Sequence, residues 1–204
     1  MKSTTGLLFF ILLSGFAMAQ SSYQKMGQKA LIDGDFKLAV THLEKAIAAD
    51  SNNVNTLYML GYSYYHATNY KKAVSTFNRL ISLKPAENSA YYYRGKARNI
   101  MATDSKNITN VEREKLLLAS IRDFTKAIQL NGDDMKLYQN RAIAYRDYGI
   151  LKAQKIPKFY DKTKAMEAFK SCILDFQKVL DFTPGRKDIT AQLDDARIYL
   201  DNIR

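Results

Sequence analysis

The chain has 204 residues with a hydrophobic fraction of 47%, enough for a packed core and against an intrinsically disordered chain. Its 31 Lys and Arg against 20 Asp and Glu leave a net charge of +11. That balance favours acidic partners or anionic surfaces but does not separate peptide, glycan, lipid and nucleic acid. A single cysteine, Cys172, excludes an internal disulfide.

The first element is an export signal. Lys2 precedes an apolar run from Leu7 to Phe16, and Ala17-Met18-Ala19 then stand before Gln20, the order of a secretory signal peptide. The run is shorter than the roughly 20 apolar residues that span a bilayer, so cleavage after Ala19 is expected and no transmembrane span remains. No cysteine follows the cut, which argues against a lipid-modified form. Loss of Lys2 leaves a mature charge of +10. The expected location is periplasmic or extracellular.

Two helices follow, from Tyr23 to Asp33 and from Phe36 to Ala49, joined by the turn signal Asp33-Gly34-Asp35. In the second, Phe36, Ala39, Val40, Leu43, Ala46 and Ile47 keep to one face at helical spacing. Neither helix hides that face alone, so the two pack on each other, with Gly27 expected against Ala39. A second pair, 54–67 and 70–83, sets Gly61 opposite Ala73 and ends at Pro85, which cannot continue a helix.

The two pairs share a set of marks. In the second they are Leu57, Leu60, Gly61, Tyr64, Ala73, Phe77 and Pro85; 34 residues upstream stand Tyr23, Met26, Gly27, Ala30, Ala39, Leu43 and Ser51. Tyr91, Arg94, Gly95 and Arg98 follow 34 residues downstream. This set resembles the tetratricopeptide repeat, a 34-residue helix-turn-helix unit. Leu57 stands where the family has tryptophan, and Ser51 replaces the first proline. The resemblance implies an all-α, right-handed superhelical stack of about four such repeats in one domain, 20–204. They are 20–53, 54–87, 88–134 and 135–186, followed by a capping helix, 187–204.

The last two repeats carry insertions. Gly61 to Gly95 is a step of 34, but Phe77 to Phe124 is 47, so thirteen extra residues lie within about Asn99 to Glu114. Thr109-x-x-Glu112 has capping-box spacing and marks the start of the next helix. The fourth repeat opens with Tyr138, Arg141, Ala142 and Tyr145 and resumes at Cys172, Phe176, Val179 and Pro184, with eighteen residues inserted. Both insertions join first helix to second, so they project from one edge and sit side by side. Ile189, Leu193, Ala196, Leu200 and Ile203 then share one helical face, as a cap requires. Cys172 falls where the repeat wants a small buried residue, and free Cys packs as a small hydrophobe.

No catalytic residue, cofactor or metal is expected, and the chain is not read as an enzyme. His42, His66 and Cys172 have no metal-ligand spacing, and no nucleophile elbow, P-loop or dinucleotide fingerprint occurs. The resemblance implies instead that the first helix of each pair lines a concave groove. Its residues would be Asn55, Tyr58, Tyr62 and Tyr65, then Tyr92, Lys96 and Asn99, then Gln139 and Arg146. A tyrosine stripe also fits inter-repeat core, and the two readings stay open. Gln24, Gln28, Tyr58 and Tyr62 do not reproduce the family's clamp for a terminal carboxylate.

The fourth insertion adds a basic edge, Lys152, Lys155, Lys158, Lys162 and Lys164 against Asp161. Residues 135–186 hold 11 basic and 5 acidic side chains. The expected function is an exported adaptor of the bacterial cell envelope that binds a protein or peptide in a tyrosine-rich groove, an acidic partner being the one the charge favours. The alternative is a binder of an anionic polymer, glycan or nucleic acid, through the basic half. Export argues against nucleic acid.

Overall fold

The computed structural model describes residues 22–104 and 106–203. The signal segment expected over 1–19, with its cleavage after Ala19, lies outside the described residues. Among the described residues there are nine helices and no strand. They are α1 (22–32), α2 (Phe36–Ala49), α3 (Val54–His66), α4 (Tyr70–Leu83), α5 (Asn88–Asp104), α6 (Asn110–Leu130), α7 (Met135–Ala153), α8 (Lys162–Phe182) and α9 (Lys187–Ile203).

Local chemistry sets where the helices begin. The side chains of Asp35, Asn53, Asn69, Asp134 and Asp161 each accept a hydrogen bond from a first-turn N–H of the helix that follows, satisfying a donor that has no partner within the helix. Before α6, Thr109 and Glu112 form the expected reciprocal capping box. The α1–α2 turn passes through Gly34 at φ +77°. Its repeat equivalent in the α3–α4 turn is Thr68 at φ +59°, where a β-branched residue is strained.

The helices group into two compact units, one ending at Ala90 and one beginning at Tyr91. In the first, α3 packs between α2 and α4 over a core that includes Leu43, Leu57, Leu60, Phe77 and Leu80. Tyr64 donates its hydroxyl to Glu44, which also pairs with Lys72 at 3.0 Å. The helix pairs meet small against large. A Cβ on Gly27 would lie 2.5 Å from Leu43 Cγ, and one on Gly61 would lie 2.8 Å from the Phe77 ring. This corrects the expected partners Ala39 and Ala73: each glycine admits the large side chain of the next helix.

The second unit repeats the rule and extends it. Gly95 meets Phe124, with a Cβ 3.1 Å from the ring, while Ala142 shares a cluster with Phe176. Helix α5 has 17 residues where α3 has 13, and α6 has 21 where α4 has 14. Helices α7 and α8 run to 19 and 21, so most of each insertion is helix rather than loop. Seven residues, two helical turns, beyond Gly95 and before Phe124 stand Ala102 and Leu117, together in one core cluster. The same step from Ala142 and Phe176 reaches Gly149 and Phe169, where a Cβ would come within 2.9 Å of the ring. The insertions thus add one more small-against-large layer to each antiparallel pair.

Their enlarged ends are adjacent within this unit. Glu114 of α6 accepts from the Tyr148 hydroxyl at 3.3 Å and pairs with Lys152 of α7 at 3.3 Å. Helix α9 covers α8 with Ile189, Leu193, Ala196 and Leu200 buried. Its outer side carries Asp194, Asp195 and Arg197, and also the exposed Ile198 and Tyr199; the Tyr199 ring stacks on Phe169 at 5.4 Å.

Alanine at Gly61 or Gly149 gains about 1 kcal/mol of helix propensity but overpacks a filled core at about 1–3 kcal/mol. Both variants are expected to unfold at lower temperature by circular dichroism, with Phe169→Leu restoring part of the loss in the Gly149→Ala background. Thr68→Gly is expected to raise the unfolding temperature, because about 1 kcal/mol of backbone strain is relieved.

Candidate binding surfaces

Arginine placed by the repeat is held by buried aspartate in the second unit. Asp123 is 3% exposed and accepts from Arg94 at 2.6 Å and from Arg98 at 2.6 Å. In the next repeat Arg141 forks onto Asp175 with two bonds of 2.8 Å. Burial pushes the Asp175 carboxyl up while Arg141 pulls it down; the bidentate geometry is that of an ion pair. Burial also lowers the Arg98 guanidinium, against the pull of Asp123. Sequence reasoning singled out Arg94 and Arg141 but missed the two aspartates. Their signal was an Asp-Phe pair at 123–124 and again at 175–176. Asp175→Ala leaves the half-buried Arg141 without its counter-charge, and a loss of about 3 kcal/mol in denaturant unfolding is expected. Joint replacement by Met and Leu is expected to cost much less.

In the first unit a cleft of about 560 Å³ opens between α1, α3 and the start of α5. Gln24 and Gln28 line it from α1, Asn55 and Tyr58 from α3, and Glu87 and Ser89 from the far side. Burial raises the Tyr58 hydroxyl, with Ser89 opposing. Glu87 is held below the usual carboxylate range by Lys84, at 2.8 Å, and by the Ser89 hydroxyl. Two of the predicted residues, Asn55 and Tyr58, therefore share one concavity with two carboxamides not assigned to it from sequence.

Tyr62, whose ring lies 6.3 Å from that of Tyr58, and Tyr65 do not line this cleft. Tyr62 lies 4.3 Å from His66 and 6.2 Å from Phe36, and Phe36 stacks on His66 at 4.6 Å. Tyr65 meets Tyr70 edge-on at 5.7 Å. Both rings are half-buried in aromatic packing.

On the first helices of the second unit, Lys96 and Asn99 share a pocket of about 130 Å³ with Asn140 and Ile143. Asn99 donates to Asp147 at 3.1 Å, and Asp147 pairs with Arg146 at 2.9 Å. Gln139 accepts from Arg186 at 3.5 Å. The Tyr92 ring packs edge-on to Phe124 at 6.2 Å, with Lys96 5.4 Å from its centre, so it serves the core of this unit.

The basic edge needs one correction. Lys152 is 5% exposed, paired with Glu114 and set over the Phe159 ring at 5.2 Å. Its position within the two added helix ends, beside a half-buried carboxylate, removes it from the surface. Lys155, Lys158, Lys162 and Lys164 are exposed, and Lys164 pairs with Asp161 at 3.1 Å.

Cys172 is fully buried, and burial pushes its thiol up to about 12. It is expected to stay unreactive to a thiol reagent at mildly alkaline pH until the chain is denatured. Half-buried His42 stacks on Tyr23 at 6.4 Å. Among the described residues no group of His, Cys, Asp and Glu is arranged to hold a metal, and no helix is long and apolar enough to cross a membrane.

Residues 30–98 match the tetratricopeptide repeat profile. No curated protein matches the chain. Among solved structures, a crystal structure of MamA protein is similar over 92% of this chain and 91% of its own, at 24% identity and a TM-score of 0.57. TTC0263, a thermophilic TPR protein in Thermus thermophilus, is similar over 88% of this chain and 99% of its own, at 15% identity and a TM-score of 0.54. YrrB, described as a TPR protein with an unusual peptide-binding site, is similar over 87% of this chain and 84% of its own, at 16% identity and a TM-score of 0.52. The chain thus carries tetratricopeptide-repeat sequence over 30–98 and, in its described residues, the all-α repeat fold of tetratricopeptide-repeat structures.

Proposed function

We propose that the chain is an exported scaffold that holds an extended peptide segment of an envelope protein in the cleft between α1 and α3. The observation that carries this reading is the wall of that cleft. Tyr58 offers a rigid apolar ring with a polar tip, and Gln24, Gln28 and Asn55 offer carboxamides, which pair with a peptide backbone as donor and acceptor at once. A buried ring contributes about 1–2 kcal/mol, so affinity depends on several such contacts together. The order of Lys2, the apolar run and Ala17-Met18-Ala19 supports export. The peptide-binding site of YrrB accords with a peptide ligand. The alternative, an anionic polymer on the basic half, loses Lys152 to the interior.

Cross-linking in the native envelope, followed by identification of the captured protein, tests the proposal. Tyr58→Ala and Asn55→Ala are each expected to weaken capture, and the double variant to abolish it, with helical content unchanged; capture by the double variant at the original level refutes the proposal. Tyr62→Ala is expected to lower the unfolding temperature instead, because its ring packs against Phe36 and His66 at about 0.5–1.5 kcal/mol.

A further inference from the structure

A second concavity lies wholly within the second unit, bounded by α6, α7 and α8, with a volume of about 380 Å³. Its floor is apolar: Leu118 and Ile121 from α6, Ala168 from α8, and Tyr145 and Tyr148 from α7. The Tyr148 hydroxyl is engaged by Glu114, and burial raises both tyrosines. Lys164, Glu167 and Ser171 complete the lining from α8. None of these residues belongs to the sets on α5 and α7 discussed above for the groove.

The flanks of this cleft are cationic. Lys115, Arg122 and Lys126 are exposed on α6 at spacings of seven and four, which aligns them along one stripe. On α8, Lys170 and Lys178 stand one turn either side of Leu174, which is 71% exposed. Some exposed cations elsewhere pair with carboxylates, as Lys72 does with Glu44, Lys84 with Glu87 and Arg186 with Asp188. Among the described residues Lys115, Arg122, Lys126 and Lys170 have no ion-pair partner. Of the exposed carboxylates on these helices, Glu112 is committed to the capping box and Asp181 accepts from Gln177. Glu167 is the one that lines the cleft.

We propose that this cleft docks an acidic peptide segment, which inserts one bulky apolar side chain between α6 and α8 while its carboxylates meet Lys115, Arg122 and Lys170. The apolar floor is recessed between helices, which suits a single inserted side chain; a helix lying on a bilayer presents its apolar face outward instead. The unpartnered cations select acidic flanks, and their exposure makes that selection salt-dependent. The site is independent of the cleft at Tyr58.

The test is fluorescence anisotropy on the full chain with a fluorescein-labelled peptide of one tryptophan flanked on both sides by glutamates. The expected result is binding that weakens by about tenfold or more when the peptide tryptophan becomes glycine, when salt is raised, and in a Ser171→Trp variant that fills the cleft. Lys170→Glu with Arg122→Glu changes only exposed side chains and is expected to weaken binding likewise, which keeps the test decisive if Ser171→Trp unfolds the protein. Tyr58→Ala is expected to leave the affinity unchanged. Absence of binding, equal binding of the glycine peptide, or insensitivity to the double charge reversal overturns the proposal. So does preferential binding of phosphatidylglycerol vesicles or of single-stranded DNA.

Discussion

The structure depends on one steric constraint, a small residue on the first helix of each pair opposite a large one on the second. Gly27 with Leu43, Gly61 with Phe77 and Gly95 with Phe124 leave so little room that a single Cβ would meet the facing side chain. Close approach lets the ring fill the space between the backbones, at the packing density a protein interior demands. Where glycine gives way to Ala142, the facing Phe176 remains. The pairing also explains why the chain tolerates thirteen and eighteen extra residues. Seven residues return the same helix face, so the contact recurs two turns along each lengthened pair, as Ala102 with Leu117 and as Gly149 with Phe169.

Those longer helices change what the charges do. A repeat of ordinary length has Leu60 and Thr76 where the later repeats have Arg94 and Asp123, then Arg141 and Asp175. The larger second unit holds these as buried ion pairs, and Lys152 with Glu114 adds another at its enlarged end. Part of the basic excess of residues 135–186 is therefore internal. Lys155, Lys158, Lys162 and Lys164 remain exposed, and a second exposed set, Lys115, Arg122, Lys126 and Lys170, stands on α6 and α8. Net charge counts the cations; burial decides which of them reach the surface.

The tyrosines of α3 make a similar point. Tyr58, Tyr62 and Tyr65 follow one another at helical spacing and share a stripe, yet their neighbours differ. Tyr58 meets a cleft walled by α1 carboxamides, Tyr62 meets Phe36 and His66, and Tyr65 meets Tyr70. A stripe defines a direction from the helix axis; what lies in that direction is supplied by other elements.

The local and periodic features were legible in the chain itself. Helix starts near residues 36, 54 and 70, the capping box at Thr109 and Glu112, the repeat step of 34 and the offsets of the insertions all depend on residues near one another in sequence or on copies of one pattern. The positions of Gly61 and Phe77 could be read in this way, but their pairing could not, because facing residues in antiparallel helices depend on the turn between them. Tertiary structure alone decided that the insertions are helical and that Asp123 and Asp175 close on arginines 29 and 34 residues away. It alone decided that Lys152 is buried and that a recessed apolar floor lies among unpaired cations. Each of these depends on which surfaces exclude water once helices distant in sequence come together, and periodicity carries no information about that.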